Sequence, residues 1–261
     1  MASQTQNTSM TAEELYARGV SLDDSQLYQS RALFEQAAKM GHTRACAAMG
    51  TFCMMGFGGD KDYIEAVRWL TMAAEAGHVI AQYNLGWCYE SGIGVIQDEG
   101  EAVRWYILAA NAGDPAAQSA LGICYEYGMG IEKNRPEALK WLRRAALGGD
   151  VEAHYELALF YIQGKGVEKR DKTAKDLMAA AARKNHDDAV YHMNYLKEHG
   201  DWCQTIKREQ GTFLMSDCPE CRQAKVVLED GVYVRQSTCD KDHDYANERD
   251  AGYDMNDPYE L

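Results

Sequence analysis

Four stretches of this chain, residues 43–78, 79–114, 115–150 and 151–186, align with one another without a gap, each 36 residues long. A period of that length constrains the fold more than any other feature. No single stretch can bury an apolar face alone, so each must form the same small motif and stack on its neighbour. Numbered within the repeat, place 3 is Ala45, Ala81, Ala117 and Ala153, and place 7 is Met49, Leu85, Leu121 and Leu157. Place 8 is Gly50, Gly86, Gly122 and then Ala158, while Trp69, Trp105, Trp141 and Leu177 share place 27. Places 14 and 16 are glycine in every repeat, from Gly56 and Gly58 to Gly164 and Gly166.

Each repeat reads as helix, glycine turn, helix. Places 3, 7, 8 and 11 form one apolar face at helical spacing, and places 24, 27, 28 and 31 form a second. Small residues at 8, 24 and 31 let the two backbones approach, and the larger Trp and Tyr fill the wider gaps. Gly77, Gly113, Gly149 and Asn185 suit the left-handed residue that ends a helix. Asp114 and Asp150 suit N-caps, with Pro115 at a first helical position. His42, His78 and His186 stand at the same boundary, which points to capping and not to catalysis. Asp62, Asp98 and Asn134 precede the second helices in the same way.

The string Ala81-Gln82-Tyr83-Asn84-Leu85-Gly86-Trp87-Cys88-Tyr89-Glu90-Ser91-Gly92-Ile93-Gly94-Val95, followed by Glu101-Ala102-Val103-Arg104-Trp105-Tyr106, closely resembles the Sel-one-like repeat family, relatives of tetratricopeptide repeats. The resemblance covers residues 12–200. It implies an all-α fold, a right-handed α-solenoid of antiparallel helix pairs, and a role in assembling other proteins. The repeats then run 12–42, 43–78, 79–114, 115–150 and 151–186, with a capping helix at 187–200. Residues 1–11 read as a disordered leader. One bacterial branch of the family joins the helices of each repeat by disulfides and is linked to β-lactam binding. This chain departs from it, because Cys46, Cys53, Cys88 and Cys124 all lie on first helices with no cysteine on a second helix to pair with. They read as small buried hydrophobes.

Charge narrows the choice of partner. There are 27 Lys and Arg against 40 Asp and Glu, a net charge of −13, which repels a phosphate backbone and argues against nucleic acid. No segment approaches the ~18 uncharged apolar residues of a membrane span, and the first residues lack the basic start and apolar run of a secretory signal. The chain is therefore expected to be cytoplasmic, off the membrane, with reduced thiols.

Places that vary while the frame stays fixed are expected to be exposed, and by analogy with tetratricopeptide repeats the first helices line a concave side. An apolar stripe of Met54, Tyr83, Trp87, Ile123, Tyr127 and Leu159, with Asn84 and Tyr155 beside it and Glu90, Glu126 and Glu156 at its edge, is the expected partner-binding surface. It would take a protein or peptide with apolar anchors and basic flanks. Alternatively, Trp87 and its neighbours pack between repeats.

Beyond residue 200 the repeat stops. Cys218-Pro219-Glu220-Cys221 has the spacing of a metal knuckle, and Cys239 with His243 offers a second pair. The four would suit a tetrahedral Zn²⁺, with Cys203 an alternative to His243. Between the pairs, residues 224–228 and 232–235 flank Glu229-Asp230-Gly231, a β-hairpin signal. Residues 201–243 are thus a candidate zinc-ribbon-like hairpin, against which stands a reading as unpaired thiols. Residues 244–261 read as an acidic disordered tail. No catalytic set and no phosphate-binding loop emerges. The expected function is a non-enzymatic interaction scaffold or adaptor. The alternatives are an inhibitor or immunity protein that neutralises a basic toxin or enzyme, and a zinc-dependent regulatory module carried on the repeats.

Overall fold

The structure, a computed structural model, describes residues 10–202 and the backbone of two strands, Lys225–Glu229 (β1) and Val232–Gln236 (β2). The expected leader at 1–9, the four candidate zinc ligands and the tail at 244–261 lie outside the described residues. The repeat region is helical throughout. Its helices are α1 (Ala12–Val20), α2 (Leu27–Lys39), α3 (Thr43–Met55), α4 (Tyr63–Glu75), α5 (Val79–Ser91), α6 (Glu99–Asn111), α7 (Pro115–Tyr127), α8 (Arg135–Leu147), α9 (Val151–Gln163), α10 (Asp171–Arg183) and α11 (Asp187–His199).

Two compact units divide the chain, with the boundary between Ala153 and His154. In the first, each helix from α1 to α8 packs on the next, and α3 also touches α5. In the second, α10 packs on α11. The strands β1 and β2 pair antiparallel, from Lys225 opposite Gln236 to Glu229 opposite Val232. Glu229, expected in the turn, is instead the last paired residue of β1.

Side-chain caps set the start of the helices in the first unit, except that α2 follows Gln26 without one. Thr11, expected in the leader, caps α1 in a reciprocal box with Glu14. Asp62, Asp98 and Asn134 cap α4, α6 and α8. At the starts of the first helices, His42 and His78 accept the backbone N–H of Ala45 and Ala81 through Nδ1 at 3.1 and 3.2 Å. Asp114 and Asp150 do the same for Ala117 and Ala153 at 2.7 Å. Histidine and aspartate are interchangeable here because both place an unprotonated acceptor two bonds from Cβ.

Residues at two places then join consecutive repeats. Trp105 is buried in an apolar cluster otherwise drawn from α1 to α5, and Trp141 in one drawn from α6 and α7. Each of these indoles therefore shares a core with the first helix of its own repeat and with the repeat before it. Gly58, Gly94 and Gly130, at place 16, rest on the first residue of the preceding second helix: Leu27, Tyr63 and Glu99. Gly130 also donates its N–H to the Glu99 carboxylate at 2.9 Å.

A half-buried histidine, His78, and a buried one, His192, tie stability to pH. Burial holds the His78 imidazole below its ordinary pKa, and the nearby Arg44 lowers it further. In the second unit, burial and then the neighbouring His186 bring His192 down to about 4. An unfolded histidine titrates near ~6.5. Below that pH the unfolded chain takes up protons that the folded chain refuses, so stability is lost as pH falls from there toward the folded values. For His192 the loss should reach about 1 kcal/mol between pH 7.5 and 5.5. Urea unfolding at both pH values checks it, and His192→Gln should flatten the dependence. An unchanged slope in that variant would show that His192 titrates in the folded chain as it does in the unfolded one.

Candidate protein-binding face

The first helices of the first unit carry most of the expected surface, and α5 is its centre. This helix is fixed at one end by the His78 cap and at the other by Gly92, whose left-handed backbone returns its N–H to the Cys88 carbonyl. Tyr83, Trp87 and Glu90 then fall one turn apart on one face. Trp87 is half-buried: one side of the indole rests on the α1–α5 cluster, as Met54 also does. Tyr83 rests on the next cluster, its ring 5.7 Å from that of Tyr106. Asn84 and Ile123 are half-buried, and Tyr127 is 43% exposed. Trp87 is thus packed in part on the core, as the second reading expects, and in part accessible.

The acidic edge differs from expectation. Glu126 is only 1% exposed, with the Arg135 guanidinium 3.4 Å from its carboxylate. It is an internal ion-pair member and not a rim residue. In the second unit Tyr155 and Glu156 are likewise buried, at 6% and 7% exposure, while Leu159 is half-buried. The reason is clearest at place 5. The Tyr155 ring stacks on the His186 cap at 4.4 Å, and in the first unit Tyr16, its counterpart, stacks on the His42 cap at 4.7 Å. At these two positions the place-5 tyrosine is buried because it covers the histidine cap that follows, whereas Tyr83, which precedes the Asp114 cap, stays half-exposed.

Glu90 stands in a different setting from Glu126 although both occupy place 12. Its carboxylate accepts the phenol O–H of Tyr106 at 2.7 Å. Burial, and then the charge of Glu90, push the Tyr106 phenol far above its ordinary pKa, so it stays a neutral donor. Tyr106 was not singled out by sequence. The available signal was that place 28 holds Leu70, Tyr106, Leu142 and Met178, a single hydroxyl among apolar residues.

The four repeat cysteines are free and buried. Burial pushes the thiols of Cys88 and Cys124 up to about 12, so both remain protonated at neutral pH and act as core fillers. Among the described residues no group of three or more His, Cys, Asp or Glu could hold a metal ion, and no helix is long and apolar enough to cross a membrane.

Comparison with known proteins agrees with this architecture. The model of the Sel1 repeat family matches residues 11–42, 43–78, 79–114, 115–150 and 151–186. A Sel1 repeat protein from Oxalobacter formigenes is 29% identical with a TM-score of 0.64, over 73% of this chain and 56% of that one. A protective antigen of uropathogenic Escherichia coli strains, displaying an SLR fold, is 25% identical with a TM-score of 0.63, over 73% of this chain and 42% of that one. An immunity protein from Pseudomonas aeruginosa is 22% identical over 71% of this chain and 69% of that one, with a TM-score of 0.47, a likeness too distant to argue from. The chain thus spans about half the length of the first two solved relatives. No curated protein matches it in sequence.

Proposed function

The chain belongs to the Sel1 repeat family, whose members are in general protein-interaction scaffolds, and on that premise we propose that its first-helix face binds a segment of another protein. The observation that carries this reading is Trp87. A tryptophan with one side packed on a core and the other open is the geometry of an interface anchor, because the ring is already ordered and only its free side remains to be desolvated. Ile123, at the same place one repeat later, and the exposed Tyr127 extend the apolar surface. The overall charge of −13 favours a partner with basic character. The protein acts as a scaffold or adaptor, and chemistry is left to what it holds.

Affinity purification at physiological salt tests the proposal. Trp87→Ala should weaken capture of the partner at least about tenfold, and it should lower stability by about 1–2 kcal/mol because one side of the indole is packed. Undiminished capture by a folded Trp87→Ala protein would overturn the reading. Several captured clients would identify an adaptor, and a single basic enzyme in stoichiometric amount an inhibitor.

A further inference from the structure

Most carboxylates on the helix faces of the first unit have a cation of their own. Glu65, Glu101 and Glu137 pair with Arg68, Arg104 and Lys140 at 3.1, 2.8 and 3.1 Å. Glu126 has Arg135. Glu90, beside Trp87 on the first-helix face, has none: no Lys, Arg or His among the described residues lies within ion-pair distance of it. Among the described residues its carboxylate accepts only the Tyr106 hydroxyl, on one oxygen, while the Gln97 side chain donates to its backbone carbonyl.

That arrangement is electrostatically unfinished. A half-buried carboxylate beside aromatic rings has given up part of its hydration, and one neutral hydroxyl replaces only part of what was lost. Tyr106 itself is buried, and Tyr83 packs near its ring, so the carboxylate is held in place at the surface end of a rigid stack. Trp87 lies three residues before Glu90 on the same face of α5. A guanidinium suits such a pair, since it can donate two parallel hydrogen bonds to a carboxylate and lay its plane on an indole.

We propose that Glu90, positioned by Tyr106, anchors an arginine of the bound segment, set beside the residue that packs on Trp87. This rests on the first-helix face being the binding face. It narrows the expected basic flanks to one cation at one carboxylate.

A random dodecapeptide phage library selected on the full chain, followed by fluorescence anisotropy on the winning peptides, tests the two layers separately. The selected peptides should share an arginine close to an aromatic or aliphatic residue. Glu90→Gln should weaken the arginine peptide about fivefold and leave the citrulline version of the same peptide unchanged. Tyr106→Phe, which keeps the buried ring, should give a smaller loss with the arginine peptide alone. Selected peptides without a common basic residue would overturn the arginine anchor while leaving the face intact. So would equal losses for arginine and citrulline peptides in Glu90→Gln. Peptides that bind Trp87→Ala as well as the natural chain, or a library with no binders at all, would overturn the face and the anchor together.

Discussion

Replacing Trp105 by alanine should cost about 4 kcal/mol of stability. Trp105 is 5% exposed, and it sits in a cluster built from the helices before it, so its removal empties the joint between two repeats. The cavity cannot close cheaply, because its walls are fixed by Ala-Ala pairs and close backbone contacts on both sides. The indole N–H makes no hydrogen bond among the described residues. Trp105→Phe should therefore lose only volume and cost about 1–2 kcal/mol. Urea unfolding followed by circular dichroism measures both. A cost for Trp105→Ala similar to that of Trp87→Ala would mean that place 27 does not hold the repeats together.

The second large effect is expected at a glycine. Gly94 has φ +70°, and a Cβ added there would overlap the carbonyl of Tyr63, the first residue of α4. Gly77 has φ +86° with nothing within 4 Å of the same added atom. The two alanine variants thus share the conformational penalty but differ in the contact. Gly77→Ala should cost about 1 kcal/mol. Gly94→Ala should cost about 3 kcal/mol, since backbone must move to admit the methyl group. Hydrogen exchange should place the added loosening at the amides of α4 and of the loop around Gly94. Equal stabilities for the two variants would show that the loop is not seated on α4 in solution.

These predictions also mark how much of the protein could be read in advance. The helix pairs, the left-handed glycines, Asn185 in their place, and the histidine and aspartate caps all follow from short-range rules that need only the residues themselves. The sharing of Trp105 and Trp141 between consecutive repeats was less legible, because periodicity shows that place 27 is buried without showing by what. Of the expected surface, Tyr127 is exposed and Trp87 and Ile123 are half-buried, while Glu126, Tyr155 and Glu156 are buried. Variation between repeats does not by itself signal exposure. At Tyr155 the varying residue covers a histidine cap, and at place 12 it meets whichever residue of the second helix is near.

The sequence by itself determined a helical solenoid of Sel1 repeats, its boundaries and its turns, since a pattern repeated every 36 residues leaves one local solution and stacks it. Only the tertiary structure decided which carboxylate is open. Glu90 and Glu126 have the same place in the same frame, yet one meets the hydroxyl of Tyr106 and stays half-exposed, while the other is enclosed with Arg135. The difference arises because burial of a charge depends on the groups that surround it in three dimensions, and those groups sit at the places where the repeat is free to vary.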